Sequence, residues 1–200
     1  MIRGGPKGEL PFAAVSRIAV IIPVKAFSKA KGRLSSVLDD RARGALARTL
    51  ALNVIAAAAP LSVIVVTNDE DVRIWAAEIG ARAVQDNGEG LSAAAHQGAV
   101  QAALEGFERV IVAHADLPHA KALAWIGEFD GITLVPDRHG TGTNVIGLPA
   151  SSPFRFAYGE GSFSRHCGEA RRIGAPFRIV RDATLAWDVD VPSDLDTLTP

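Results

Sequence analysis

The chain has 200 residues, of which 48% are hydrophobic and 22% are charged, and its formal net charge is −1. This composition excludes a collagen-like or intrinsically disordered chain, and the length suits one globular domain with its own hydrophobic core. The near balance of 21 basic and 22 acidic residues argues against a nucleic-acid partner or an anionic lipid surface. We therefore expect a small molecule as the partner.

The cysteine content and the hydropathy pattern predict a cytoplasmic protein. A single cysteine, Cys167, cannot form an internal disulfide, and the first residues do not follow a signal-peptide pattern. The longest apolar stretch, residues 50–66, is broken by Pro60 and is typical of a helix followed by a strand. We therefore predict no membrane span.

Short β-branched runs alternate with longer amphipathic segments from residue 18 onwards. Residues 1–16 carry several glycines and prolines without periodicity, which predicts a flexible leader followed by a single domain over residues 17–200. Strands are predicted at IAVIIPV, SVIVVT, ARAVQ and RVIVAHAD, with helices over 39–59, 70–79 and 91–105. Runs such as VIVV are apolar on both faces, as in a parallel sheet covered on both sides. The predicted fold class is α/β, a three-layer α/β/α sandwich with a mostly parallel central sheet.

Several helix ends can be predicted from single residues. Asp39 or Asp40 is suited to cap the first helix, which Pro60 ends, and Gly80 is suited to a left-handed C-cap. The pattern is less regular after Asp116. It predicts a helix over 120–126, strands at GITLVPD and TNVIGLP, a loop over 151–161, a helix over 162–173, a strand at FRIVR and a short helix after Pro192.

Four cations follow the first predicted strand within nine positions: Lys25, Lys29, Lys31 and Arg33. Ligands of open parallel sheets bind at the carboxyl ends of the strands, and ammonium and guanidinium groups there suit a polyphosphate. The alternative is a solvated loop, since Lys and Arg mostly face water. Neither GxxxxGK[ST] nor GxGxxG is present at this strand, so the two common nucleotide-binding fingerprints do not apply.

Carboxylates are predicted at the same edge of the sheet. The predicted strand RVIVAHAD ends in Asp116, and Asp188 and Asp190 alternate within WDVDVPSDL, so one of the pair can face Asp116. Mg²⁺ prefers one or two carboxylates together with substrate phosphate oxygens. The alternative for Asp116 is a helix cap, and Asp194 is best explained as a structural residue in the first turn after Pro192.

Three glycine-containing loops are candidates for ligand contacts. PDRHGTGTNVI contains Thr143, and YGEGSFSRH places Gly159 and Ser162 before a helix, where amide groups favour an anion. For His166, in that helix, a charged ligand contact and an exposed helical face are equally open. NGEGLS is either a base-recognising turn around Gly90 or an N-cap at Ser92. The histidines have no zinc-ligand spacing, and GxSxG and HExxH are absent.

Taken together, VKAFSKAKGRL, AHADLP, DRHGTGTNVI, YGEGSFSRH and WDVDVPSDL resemble the guanylyltransferases of coenzyme F-420 (deazaflavin) biosynthesis. These enzymes act on phosphoenolpyruvate, 2-phospho-L-lactate or a related phospho-acid, and the resemblance extends over residues 18–198. It implies a GT-A-like, Rossmann-related nucleotidyltransferase fold, with GTP as a substrate and Mg²⁺ as the cofactor. Ser92 departs from the family, in which asparagine is expected at that position.

The resemblance also implies a role for individual residues. Lys25, Lys31 and Arg33 would hold the GTP phosphates and, with Asp116, carry catalysis. The metal ligands would be Asp116 with Asp188 or Asp190, and Gly90 and Leu91 would face the guanine. The acceptor would be bound by Thr143, Gly159 and Ser162.

The implied reaction suits the residues that the sequence offers. A phosphate monoester is largely a dianion at neutral pH, so it is already a nucleophile and needs no Ser/His pair. Two alternatives stay open: a nucleotidyltransferase of the sugar-phosphate or molybdopterin type, and a catalytically silent nucleotide-binding regulator. The sequence also leaves open whether the chain forms a homodimer and which phospho-acid is the acceptor.

Overall fold

The computed structural model describes residues 17–198, so the leader predicted for residues 1–16 lies outside the described range. Within that range the strands are β1 (Ile18–Pro23), β2 (Ser62–Thr67), β3 (Arg82–Gln85), β4 (Arg109–Ala113), β5 (Ile132–Pro136), β6 (Thr143–Pro149) and β7 (Phe177–Ile179). The α-helices are α1 (Asp40–Ala57), α2 (Glu70–Glu78), α3 (Leu91–Leu104) and α4 (Ser162–Arg172). Short 3-10 helices occupy Phe27–Lys29, Gly32–Leu34, Ala124–Glu128 and Pro192–Leu198.

All seven strands form one sheet in the order β3-β2-β1-β4-β6-β5-β7. The strands β3, β2, β1 and β4 pair in parallel, and β5 pairs in parallel with β7. Only β6 is antiparallel to its neighbours β4 and β5 within the described sheet. The predicted mostly parallel sheet is therefore confirmed.

Alternate residues of β1 enter two separate hydrophobic cores. Val20 and Ile22 pack with residues of α1 and α2, such as Val54 and Trp75. Ala19 and Ile21 pack with residues of α3 and α4 on the other face of the sheet. Since successive side chains of a strand point to opposite faces, the two cores lie on opposite sides of the sheet. The predicted three-layer arrangement is confirmed.

The predicted signals at the helix ends are largely confirmed. The Asp39 side chain caps α1 by accepting a hydrogen bond from the Ala42 amide at 2.7 Å. Gly80, just beyond α2, has φ +74°, in the left-handed region that suits glycine. These local signals fix where the helices of the first half begin and end.

The helix predicted over 120–126 is wrong, because only the 3-10 turn Ala124–Glu128 forms there. The Asn53 side-chain amide on α1 donates to the carbonyls of Leu117, Pro118 and Ala120 at 2.9–3.3 Å. The Ala120 carbonyl is one that the predicted helix would use for its own ladder, and the bonds to Leu117 and Pro118 hold the chain just before it. A contact from a distant helix therefore decides the conformation of this segment.

The N-cap predicted at Ser92 is also wrong. Helix α3 begins at Leu91, and its N-cap is Gly90 at φ +95°, two positions before Ser92. The Ser92 hydroxyl instead accepts a hydrogen bond from the Tyr158 amide at 2.9 Å, which fastens the loop before α4 to the start of α3.

Candidate active site

A cleft of about 730 Å³ opens at the carboxyl ends of the four parallel strands β3, β2, β1 and β4. The chain that follows each of these strands contributes to its wall. The polar and glycine residues that line it include Lys25, Lys29, Lys31, Arg33, Asn68, Asp69, Asp86, Gly88, Gly90, His114, Asp116, Asp188 and Asp190. This is the edge at which the sequence predicts ligand binding.

The segment after β1 is held in place by buried apolar side chains. Phe27 and Leu34 are each less than a tenth exposed, and the Phe27 ring packs edge-on against Trp75 of α2 at 5.0 Å. Lys31, between the two short 3-10 helices, has φ +54°, a left-handed conformation that costs a non-glycine residue about 1–2 kcal/mol. The apolar anchors fix the backbone that presents the four cations.

Lys31 connects three distant parts of the chain. Its ammonium group donates to Asp116 Oδ2 and to the Val189 carbonyl, both at 2.5 Å, and lies 3.9 Å from Asp190 Oδ1. The Lys31 side chain is only 10% exposed, so these interactions are weakly screened by solvent. The predicted convergence of the early lysines with the later carboxylates is therefore present.

The other cations of this segment are more exposed. Arg33 Nη1 donates to Asp190 Oδ2 at 3.0 Å, and its side chain is 74% exposed. Lys25 and Lys29 line the cleft and are also exposed. An exposed ion pair contributes little to stability, so these side chains can reorient toward an anionic ligand at small cost.

Arg138 and Asp194 fix the loop that carries the second pair of carboxylates. The Arg138 guanidinium donates to the Asp188 carbonyl and to Asp194 Oδ1, both at 2.7 Å. Asp194 Oδ2 accepts from the amides of Asp190 and Val191 at 2.7 and 2.9 Å. The structural role expected for Asp194 is confirmed. The role of Arg138 was missed, although it lies within the glycine-rich motif DRHGTG.

The carboxylates at this end of the cleft repel one another. Burial raises the pKa of Asp188 above its usual value, and the nearby charges of Asp116 and Asp190 raise it further. Asp116 Oδ1 is buried and has no hydrogen-bond partner among the described residues. A cation bound between Asp116 and Asp188 would reduce the repulsion between the two carboxylates and would provide a partner for Asp116 Oδ1.

The donor set fits a hard divalent cation. Residues 17–198 contain no group of three or more Asp, Glu, His or Cys side chains already arranged around a common point. Mg²⁺ does not require such a cage, since it takes one or two carboxylates and completes its shell with water and substrate phosphate. Asp116 and Asp188 supply this number of oxygen donors.

At the opposite end, the turn after β3 lies beside the end of β2. Asp86 Oδ1 accepts from the Gly88 amide at 3.1 Å. Gly88 has φ +79°, and a Cβ added there would lie 3.2 Å from the Asn68 amide nitrogen. Gly90 and Leu91 line the cleft here, and their contact with the guanine stays a prediction. Asn68 and Asp86 were missed, since the sequence pattern gives no signal that these two loops meet.

Thr143, Gly159 and Ser162 lie around the start of α4, outside the set of residues that line the cleft. Thr143 and Ser162 are buried, and the Thr143 hydroxyl lies 3.0 Å from His166 Nδ1. The role of these three residues in acceptor binding stays a prediction.

His166 is fully buried, so both interpretations of it, a charged ligand contact and an exposed face, are wrong. Its Nε2 accepts from the Ala157 amide at 2.9 Å, which leaves the proton on Nδ1 to be donated to Thr143. Burial lowers the pKa of His166 to about 4, with a smaller contribution from the charge of Arg165. His166 is thus a neutral structural residue at physiological pH. The amphipathic pattern of α4 did not reveal this.

None of the helices described within residues 17–198 is both long enough and apolar enough to cross a membrane.

The seven-stranded sheet with helices on both faces is the GT-A-like fold of nucleotidyltransferases. Two solved structures share the fold. One is described as a nucleotide-diphospho-sugar transferase from Desulfovibrio desulfuricans, with a TM-score of 0.72, 20% identity and coverage of 92% of this chain and 86% of the other. The other is 4-diphosphocytidyl-2C-methyl-D-erythritol synthase from Anaerococcus prevotii, with a TM-score of 0.59, 10% identity and coverage of 92% and 94%.

Residues 18–199 match the family model "Guanylyl transferase CofC like", and the chain belongs to this family. It is 37% identical to a phosphoenolpyruvate guanylyltransferase of Sphaerobacter thermophilus over 89% of this chain and 90% of the relative. It is 31% identical to a 2-phospho-L-lactate guanylyltransferase of Methanothermobacter thermautotrophicus over 90% of this chain and 82% of the relative. The family resemblance inferred from the sequence motifs is confirmed.

Proposed function

We propose that the chain transfers GMP from GTP to the phosphate of phosphoenolpyruvate or 2-phospho-L-lactate, with release of pyrophosphate, as a step in coenzyme F-420 biosynthesis. The family membership supports the reaction type and the two acceptor candidates. The observation that carries the proposal is the meeting of Lys31 with Asp116 and Asp190 in one cleft at the carboxyl edge of the sheet. The single, buried Cys167 supports a cytoplasmic location.

The proposed reaction is an in-line displacement at phosphorus. An oxygen of the acceptor phosphate attacks the α-phosphorus of GTP and forms the new P–O bond. The bond from the α-phosphorus to the bridging β-oxygen breaks, and its electron pair leaves with pyrophosphate. Because the second pKa of a phosphate monoester is ~6, the attacking group is ionised at neutral pH and no general base is needed.

The chain's own task is to bring two anions together and to neutralise charge. Lys25, Lys31 and Arg33 bind the phosphates of GTP, which positions them to neutralise the departing pyrophosphate. Asp116, with Asp188 or Asp190, would hold Mg²⁺, which when bound acts as a Lewis acid at phosphoryl oxygens.

The guanine base and the acceptor are bound by different residues. Gly90 and Leu91, at the start of α3, contact the guanine. Thr143, Gly159 and Ser162, around the start of α4, bind the phosphate and carboxylate of the acceptor. The Ser92 hydroxyl accepts a hydrogen bond from the Tyr158 amide, which holds the loop before α4 against the start of α3. This contact supports placing the guanine and acceptor regions next to each other.

Mass spectrometry of the products tests the proposal. GTP and Mg²⁺ are supplied with equal amounts of phosphoenolpyruvate, 2-phospho-L-lactate and 3-phosphoglycerate, and CTP with a sugar phosphate serves as the parallel reaction. We expect a GMP-capped acid from one of the first two acceptors, with one pyrophosphate per product. Turnover with CTP and the sugar phosphate but not with GTP and any phospho-acid would overturn the proposal.

A further inference from the structure

The order of strands separates the cleft into two chemically different ends. Strands β3, β2, β1 and β4 follow one another across the sheet, so the ends of β3 and β4 are three strand spacings, roughly 14 Å, apart. The ion pairs of Lys31 and Arg33 lie at the β1 and β4 end. If the triphosphate is bound there, as the proposed function requires, the base extends toward the ends of β2 and β3.

Three polar side chains line the cleft at the β2 and β3 end: Asn68, Asp69 and Asp86. Asp69 is already engaged, since its carboxylate caps α2 by accepting from the Val72 amide at 3.1 Å. Asp86 Oδ1 accepts from the Gly88 amide, and within residues 17–198 Oδ2 has no hydrogen-bond partner. Asp86 therefore has a half-buried carboxylate whose Oδ2 can accept a hydrogen bond from a ligand.

From this arrangement we infer that Asp86 determines the specificity for guanine by accepting hydrogen bonds from the base N1–H and the 2-amino group. These two groups are adjacent donors on guanine, and a carboxylate offers two acceptor oxygens in matching positions. Adenine presents an acceptor at N1, which would face the carboxylate and leave two acceptors unpaired. The inference rests on the proposed function and adds the residue that selects the nucleotide.

The turn itself provides a way to separate base recognition from structural support. The Asp86 side chain holds the Gly88 amide in a local turn that asparagine forms equally well. Asp86→Asn therefore keeps the turn and replaces one acceptor oxygen by an NH₂ donor. Xanthine differs from guanine by a carbonyl oxygen in place of the 2-amino group, so the new donor suits xanthine.

Isothermal titration calorimetry of the full chain with GTP, XTP and ATP tests the inference without requiring turnover. For Asp86→Asn we expect the Kd for GTP to rise about 10- to 100-fold, and the preference of GTP over XTP to reverse. Glu89→Gln is the matched control, since Glu89 is an exposed acid in the same turn that does not line the cleft. It should bind all three nucleotides as the unmodified chain does.

The possible failures are distinguishable. If the Asp86→Asn chain keeps the original ratio of GTP to XTP affinity, the inference is overturned and the proposed function stands. If the unmodified chain does not prefer GTP to ATP, then both fail. A folded Asp86→Asn chain that gains XTP binding supports the inference, because loss of a merely structural contact does not create affinity for a new base.

Discussion

Individual charged residues at the carboxyl edge of the sheet differ in how far solvent screens them. Lys31 is nearly buried and bonded to Asp116 at 2.5 Å, whereas Arg33 is mostly exposed and pairs with Asp190 at 3.0 Å. Charge interactions weaken with exposure and with salt. We therefore expect substitutions at the buried pair to have larger effects on activity than substitutions at the exposed pair.

Asp116→Asn should lower the rate of pyrophosphate release from GTP by about 100-fold or more. The amide removes a negative charge beside Lys31 and a candidate metal ligand while keeping the shape of the side chain. The measurement is a coupled pyrophosphate assay over a range of Mg²⁺ concentrations. Asp71→Asn, on the exposed face of α2, is the control for charge. Unchanged turnover in Asp116→Asn would remove Asp116 from the catalytic site, whereas no pyrophosphate release from the unmodified chain would favour the silent regulator.

Arg33→Ala should weaken the use of GTP by about 10-fold, mainly through a higher KM, because one phosphate contact is lost. Since Arg33 is exposed, the difference from the unmodified chain should shrink as salt is raised from 0.05 to 0.5 M. Steady-state kinetics at the two salt concentrations give the result. Arg41→Ala, an exposed change on α1, should leave KM unaltered. Identical kinetics for Arg33→Ala would remove this residue from the site.

A buried histidine of α4, His166, forms hydrogen bonds to two neighbouring segments. His166 joins the start of β6, through Thr143, to the loop before α4, through the Ala157 amide. The Phe154 and Tyr158 rings pack against the imidazole, with centroids 5.6 and 5.0 Å away. Protonation would place a charge in this apolar setting, which is why the pKa of His166 is low. It would also remove the acceptor for the Ala157 amide.

His166 should make stability fall between pH 6.5 and about 4. Its folded pKa of about 4 lies below the ordinary 6.5, so the unfolded chain binds the proton more readily and stability is lost as the pH decreases. The loss attributable to this group approaches about 3 kcal/mol. Urea unfolding at pH 7, 5.5 and 4 measures it. In His166→Gln the free energy of unfolding should change less steeply with pH over this range, whatever its value at pH 7. If the dependence on pH is the same in both proteins, other groups cause it.

At the scale of the whole molecule, the distance between α3 and the sheet depends on the small residues that α3 buries against it. Gly98 of α3 faces β1 and β2, where an added Cβ would meet Ile21 and would lie 2.9 Å from Val66 Cγ2. Gly168 of α4 has open space at the corresponding position. The two glycines therefore have different physical roles although both lie within helices.

Gly98→Ala should lower the free energy of unfolding by about 1–3 kcal/mol, because the sheet and α3 must separate or distort to admit the methyl group. Gly168→Ala is the matched control and should raise it by about 0.5–1 kcal/mol, since alanine favours the helix and meets no neighbour. Chemical denaturation of both variants gives the comparison. Equal effects of the two substitutions would contradict a packing role for Gly98.

Elements whose signals are local could be predicted from the amino-acid sequence. The β-branched runs predicted β1 to β4, and the amphipathic spacing with Asp39 and Gly80 predicted the helices between them, because periodicity and capping act over a few residues. The same reasoning placed Lys31 and Asp116 at the carboxyl ends of strands. The family motifs then indicated the reaction class.

Which of these residues contact one another depends on how distant segments pack together. Lys31 and Val189 are 158 positions apart, and their contact depends on the strand order and on the loop that Arg138 holds. The burial of His166 and the contact of Asn68 with the turn that contains Asp86 also depend on the packing of distant segments. Local patterns report which face of an element is apolar, but the partner of a polar side chain is set by packing between elements distant in sequence, which no local pattern contains.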